Sequence, residues 1–352
     1  MKKSIKTKLL ILLILLCCLV CATPSIIKVY AKTNETHSLK LETYKYTGRI
    51  EHFFTHQIIN RPDLAFNSAN KYRFNFYRDC VTYKEFERFL NEMYANNYVL
   101  VDIYDCYGFK DGTPYKKDLY LPLNKKPFLL SFDDMSFDTR NKGMSDKLIL
   151  DENGNIATYT EGNENKIEYN KEAIPILENF IKEHPDFSYN NARAVICPTG
   201  YNGILGYRIN AENPNREKHL KILRPLIDKL KSLNYHFGSH TFNHIMVSQV
   251  GAYELKEDTR RYTEDIISAI GETDIYCFPC GKYTISDEKL SVLNNAGYKI
   301  FFCVGLNHDH FIKGSNLFLS RKALDGLSLK RYHDNYLPVI DTYKIYDFEE
   351  RA

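Results

Sequence analysis

Phe128-Leu129-Leu130-Ser131-Phe132-Asp133-Asp134 is a short apolar run that ends in two adjacent carboxylates. Its brevity, the Pro127 in front of it and the lack of polar alternation predict a strand buried on both faces. Neighbouring strand residues point to opposite faces, but at a strand's carboxyl end both side chains can turn into a cleft. Two adjoining acids repel each other unless a cation or a shared proton compensates them. A second stretch, Gly238-Ser239-His240-Thr241-Phe242-Asn243-His244, supplies the means. Imidazoles four apart are expected on one face of a helical turn, a spacing suited to gripping one metal ion. Two histidines, one carboxylate and open positions for water make a hydrolytic metal site.

Outward from these motifs, strand-like and helix-like segments alternate. Residues 50–54 read as a strand closed by Thr55-His56. Thr82-Tyr83-Lys84-Glu85 is a capping box, and Phe86, Phe89, Leu90 and Met93 follow at helical spacing. Residues 98–103 read as the next strand and the aspartate-ended run as the third. Residues 148–159 predict a hairpin turning at Asn153-Gly154, an insertion near the site. A helix over 171–183 leads to a strand at 192–197. Thr199 to Tyr207 is Gly-rich without phosphate-cradle spacing and reads as a wall of the cleft. Helices marked by Leu220 to Leu230 and by Leu255 to Ile270 flank a strand at 235–238, and the rhythm continues through residue 304. About seven strand–helix repeats predict an α/β fold, a distorted (β/α)7 barrel with a β-hairpin insertion. His56, Asp133, Asp134, His240 and Pro279 each fall at the carboxyl end of a strand, on the rim where barrel active sites gather.

With 352 residues the chain can bury a full core. Lys and Arg number 47 against 44 Asp and Glu, but five lysines (2, 3, 6, 8 and 28) lie in the first thirty residues. Beyond them acids slightly outnumber bases, which argues against nucleic acid as a partner. There are 27 Tyr and 21 Phe but no Trp, so any sugar stacking falls to the first two. The early lysines and the apolar run from residue 9 to 22 read as an export signal. Val29-Tyr30-Ala31 offers a cleavage site; uncut, residues 9–27 are long enough for a membrane anchor. Either way the body lies outside the membrane, secreted or anchored. Residues 1–31 are thus signal or anchor, 32–48 a polar linker and 49–345 the catalytic domain. Six cysteines follow the signal (Cys80, Cys106, Cys197, Cys277, Cys280, Cys303), most in apolar runs that favour buried thiols. Cys277-Phe278-Pro279-Cys280 has a zinc or redox spacing but no second pair to match it.

Ser131-Phe132-Asp133-Asp134 resembles the Thr-Phe-Asp-Asp motif of polysaccharide deacetylases (carbohydrate esterase family 4, the NodB-homology domain). His240-Thr241-Phe242-Asn243-His244 is similar to that family's His-Ser/Thr-x-x-His, and Phe278-Pro279-Cys280-Gly281 resembles its Pro-Tyr-Gly loop. The late His of most members is missing from Leu317-Phe318-Leu319-Ser320. His56 after the first strand resembles instead the circularly rearranged branch that deacetylates poly-N-acetylglucosamine. The resemblance implies a hydrolase that removes N-acetyl groups from a cell-surface or cell-wall polysaccharide of GlcNAc type. It implies that Asp134, His240 and His244 hold a divalent metal, usually zinc, and that Asp133 is the base that takes a proton from water. It further implies that His56 is the general acid for the departing amine, with a backbone N–H near Cys280 at the oxyanion. Met135, Cys277 and Cys280 depart from the family's Gly, Arg and Tyr; Arg321 is the candidate to replace the missing cation.

Other histidines compete less well. His308-Asp309-His310 reads as a solvated loop, and His333-Asp334 lies in a polar segment beyond the last clear strand. A second class of function stays open, a catalytically degenerate carbohydrate-binding protein on the same fold. Metal-dependent acetate release separates the two.

Overall fold

The computed structural model describes residues 42–351 except 139–141, 163, 165, 306 and 307. The expected signal or anchor and most of the linker lie outside the described residues. Among those described, no helix is long and apolar enough to cross a membrane. The chain divides into two units, residues 1–43 and 44–352, and everything below concerns the second.

Seven strands form the ring of its nine-stranded sheet: β1 (Glu51–Thr55), β2 (Lys126–Asp133), β3 (Val195–Cys197), β4 (His236–Phe237), β5 (Ile275–Cys277), β6 (Ile300–Val304) and β7 (Asn316–Ala323). β1 to β4 pair in parallel in chain order, as do β5 to β7, and β7 returns to β1. One parallel bridge, Ser239 with Tyr276, links the end of β4 to β5 and closes the ring. The fold is the expected distorted (β/α)7 barrel. Helices α1 (Tyr83–Ala95), α2 (Ala173–Glu183), α3 (Arg216–Ser232), α4 (Ala252–Tyr262) and α5 (Asp287–Asn295) connect β1 through β6. Between β6 and β7 the chain uses the strand His310–Lys313, antiparallel to β7, in place of a helix.

The capping box starts α1 as read: Thr82 accepts from the Glu85 amide and Glu85 from that of Thr82. Glu85 is fully buried, and Arg351 grips it with two bonds of 2.7 Å, which ties the end of the unit to α1.

Alternation along the strands decides what faces the barrel interior. On β2, Phe128, Leu130 and Phe132 pack outward under the helices, while Leu129 packs inward. Ser131 and Asp133 share the inward side with Leu129 and meet Arg321 of β7 there. The amino-terminal end of the interior is plugged by Val101, Ile103, Cys106, Tyr107, Leu119 and Leu121, packed on Leu129, Val195, Ile275, Ile300 and Leu317. This plug corrects the strand expected over 98–103. Pairing there stops at Leu100 and reaches only the start of β2, because Asp102 caps a helical turn, Ile103–Cys106. The hairpin insertion is present as Lys147–Leu150 against Ile156–Tyr159, with Asp151 accepting from the amides of Asn153 and Asn155 at its turn.

Glu172, the N-cap of α2, is fully buried, and its Oε2 has no hydrogen-bond partner among the described residues. Burial pushes its carboxyl up to about 8. The folded state therefore keeps this proton over a pH range where the unfolded chain has lost it. Stability is expected to fall as pH rises from about 4.5 towards about 8 through this group. Urea midpoints taken at intervals across that window check this, and Glu172→Gln is expected to flatten the slope.

Candidate active site

Asp133 is the last residue of β2 and faces inward; Asp134 leaves the strand with φ 54°, in the left-handed region. That one backbone turn sends adjacent carboxylates to different places. Asp133 is 2% exposed, whereas the Asp134 side chain stands 38% exposed at the rim. His240 and His244 follow β4, and their Nε2 atoms each lie 3.7 Å from an Asp134 oxygen. One ligand atom from each of the three lies within 4.8 Å of the others. His240 Nδ1 donates to the Cys277 carbonyl at 3.0 Å, which fixes the ring and leaves Nε2 bare. Burial holds the His240 pKa below its ordinary value, so the imidazole is neutral, as a ligand must be. Tetrahedral zinc with ligands near 2 Å needs donor atoms about 3.3 Å apart. The donor set fits a divalent cation of that kind.

The histidine pair is not on a helical turn, contrary to the sequence reading. Thr241 (φ 65°) and His244 (φ 53°) are left-handed, and the segment is an irregular loop. Non-glycine residues in this region are uncommon and persist only where surroundings hold them. Asp258 of α4 accepts from the amides of Phe242 and Asn243, each at 2.8 Å. From the other side, the Gly200 amide donates to the carbonyls of Thr241 and Phe242, and the Tyr201 amide to that of Phe242. Sequence reasoning missed Asp258, one acid among several on a polar helix, with no local signal to single it out.

Gly200 also makes room for the loop. A Cβ there would sit 2.2 Å from Phe242 Cδ2. Gly200→Ala is expected to push Phe242 aside, lower stability by about 1–3 kcal/mol and weaken zinc binding. Denaturant unfolding and zinc titration of the same preparation check both.

Asp133 is held by Arg321 through two bonds of 2.8 and 2.9 Å, and Cys277 Sγ lies 3.3 Å away. Arg321 also donates to Ser131 and to Cys277 Sγ, and its guanidinium lies 4.1 Å from the centre of the Phe54 ring. Burial alone would raise the Asp133 pKa; Arg321, with His240 and His56, outweighs it and holds the carboxyl well below the usual range. Burial pushes the Cys277 thiol well up, which keeps it a donor. The cation missing from position 277 is thus present from β7. Asp133, Cys197 and Cys277 form a second cluster of potential ligands, but Arg321 already bonds two of its three members.

His56 follows β1. Its Nδ1 donates to the Asp79 carbonyl at 2.8 Å, leaving Nε2 as the free ring nitrogen. Burial lowers its pKa, but the carboxylates of Asp134, Asp133 and Asp325 outweigh that and raise it. His56, Asp133, Asp134, His240 and His244 line one cleft of about 600 Å³. Its walls include Tyr72, Asn75 and Arg78 from the segment after β1, Tyr201 and Asn202 after β3, and Cys280 after Pro279. Cys280 is exposed with φ 56°; the other five cysteines of the unit are buried, and all six are free thiols. Asp309 and His310 are not in the cleft: Asp309 bonds the Ile50 amide and Lys116 as a half-buried tether. His333 is bonded to Thr342 instead.

No family model and no curated protein matches the chain. Among solved structures it is similar to the Streptococcus pyogenes deacetylase PplD in complex with acetate, at 15% identity over 84% of this chain and 99% of that one, TM-score 0.47. It is similar to a de-N-acetylase from Aggregatibacter actinomycetemcomitans, at 16% identity, 79% and 96% coverage, TM-score 0.44. IcaB from Ammonifex degensii matches at 12% identity, 87% and 98% coverage, TM-score 0.44. By their descriptions the first two of these are deacetylases.

Proposed function

We propose that the chain is a metal-dependent hydrolase that removes N-acetyl groups from a cell-surface or cell-wall polysaccharide of GlcNAc type. The observation that carries this reading is the meeting of a three-donor metal set, a buried carboxylate and a histidine in one cleft. Asp134, His240 and His244 would hold the ion, with zinc the best match to two imidazoles and a carboxylate. Such an ion supplies Lewis acidity, making water a better nucleophile at neutral pH and polarising the acetyl carbonyl.

The remaining work falls to the chain's own side chains. Asp133, kept ionised by Arg321, accepts a proton from the attacking water; the guanidinium takes one lone pair on each oxygen and the single thiol proton of Cys277 one more, which leaves one for the water. His56, charged as the imidazolium that the nearby carboxylates favour, donates the Nε2 proton to the departing amine while its Nδ1–H stays on the Asp79 carbonyl. Tyr72 and Tyr201 line the cleft, in a chain that has no Trp. Export through the N-terminal apolar run places this activity outside the cell membrane, secreted or anchored.

The test is acetate release from poly-N-acetylglucosamine or chito-oligosaccharides, with and without chelator. The reading expects release that chelator abolishes and zinc restores. Binding of the glycan with no metal-dependent release would overturn it in favour of a non-catalytic carbohydrate-binding protein.

A further inference from the structure

We propose that Asp258 is a positioning residue for the metal centre: its carboxylate sets the shape of the loop that carries His240 and His244, and with it the affinity for the ion. The proposal rests on the metal reading above. Asp258 is 3% exposed on α4, one layer outside the cleft, and does not line it. Each of its oxygens takes one amide from the two residues midway between the histidines, Phe242 and Asn243.

The other bonds to the loop between the ligands take its carbonyls and the amides at its two ends, and among the described residues none takes the amides of Phe242 and Asn243. Thr241 and His244 are both left-handed, a conformation that a β-branched residue avoids unless forced. The Thr241 hydroxyl accepts from the Ile245 amide at 3.1 Å, and the Thr241 amide donates to Ser239. The carbonyls of Thr241 and Phe242 face Gly200 and Tyr201 across the loop. Asp258 therefore provides the acceptors for two consecutive amides that the loop cannot satisfy internally. Arg261, one helical turn on, places its guanidinium 4.1 Å from the centre of the Phe242 ring and steadies the same residue. Without the carboxylate, both amides need new acceptors, and the simplest relaxation swings 242–243 outward. That motion separates His240 from His244, whose Nε2 atoms must stay on one ion.

Asp258→Asn keeps the shape but offers one oxygen and a nitrogen that repels the second amide. Partners of this kind that orient metal ligands typically contribute 10–100-fold to affinity. Zinc Kd should therefore rise about 10–100-fold when the full-length chain competes with a zinc-chelating dye. Asp258→Glu retains charge and acceptors but overshoots the loop, and it should weaken zinc as well, so that the proposal stays testable if the Asn variant fails to fold. Asp265→Asn is the control, a buried acid further along the same helical run whose carboxylate accepts from the Ala211 amide rather than from the loop. Its zinc Kd should match wild type. Wild-type affinity in a folded Asp258 variant overturns the proposal and leaves the metal reading standing. An equal loss in Asp265→Asn also overturns it, since general destabilisation would then explain both. A wild-type chain that binds no zinc removes the metal reading and this proposal together.

Discussion

Asp133→Asn is expected to lower kcat for N-acetyl hydrolysis by roughly 10²–10⁴-fold while leaving zinc affinity near its wild-type value. The two effects separate because the adjacent aspartates do different work. Asp134 turns out of the strand and faces the histidines; Asp133 stays in line with the strand, buried, with Arg321 behind it. An amide in its place cannot take a proton from water, yet nothing in the donor set of Asp134, His240 and His244 changes. Some loss of stability is expected as well, because the guanidinium then faces an NH2 group. The comparison is therefore made per folded, zinc-loaded molecule. A kcat that falls only in proportion to the folded fraction would make Asp133 a structural residue.

Arg321→Met carries the largest expected effect on stability. Arg321 and Asp133 side chains are 1% and 3% exposed, so the pair is fully desolvated. Removing one partner of a buried pair typically costs about 3–5 kcal/mol, since the other charge is left uncompensated. Two-state denaturant unfolding at neutral pH measures this. A second consequence follows from the balance at Asp133, where burial raises the pKa and Arg321 is the leading influence that lowers it. Without the guanidinium burial wins, so Asp133 holds its proton to higher pH and the acid limb of the rate profile moves up. The sign is fixed: a base loses activity below its pKa, and that pKa rises. Arg321→Lys should restore part of the stability but not the two-pronged grip, because an ammonium is a point charge. Unchanged stability in Arg321→Met would remove the claim that this pair organises the barrel interior.

Much of this arrangement is legible in the chain itself, for physical reasons that differ from one element to the next. β2 stands out because a strand buried on both faces is apolar almost throughout, and the acid at its end, with a second just beyond it, breaks that rule. The barrel follows from the recurrence of strand and helix, and Thr82-Glu85 marks the start of α1 by local chemistry alone. Arg321 was recognisable as a candidate cation by its place after a strand-like run, but its bond to Asp133 spans 188 positions and only the closed ring reveals it. The helical turn expected at His240 failed because four-residue spacing constrains which side chains meet, not the backbone between them. Two left-handed residues and an acid from α4 achieve the same meeting in a loop. The strand expected over 98–103 failed for a related reason: its apolar residues serve a plug, and Asp102 turns the chain before a second ladder can form.

The account rests on one ion shared by Asp134, His240 and His244. Its most direct test is the zinc content and turnover of the dialysed full chain beside the double variant His240→Ala, His244→Ala. The account predicts one zinc per wild-type chain, none in the double variant, and acetate release lost with it. A double variant that retains stoichiometric zinc, or that releases acetate at the wild-type rate, would contradict it.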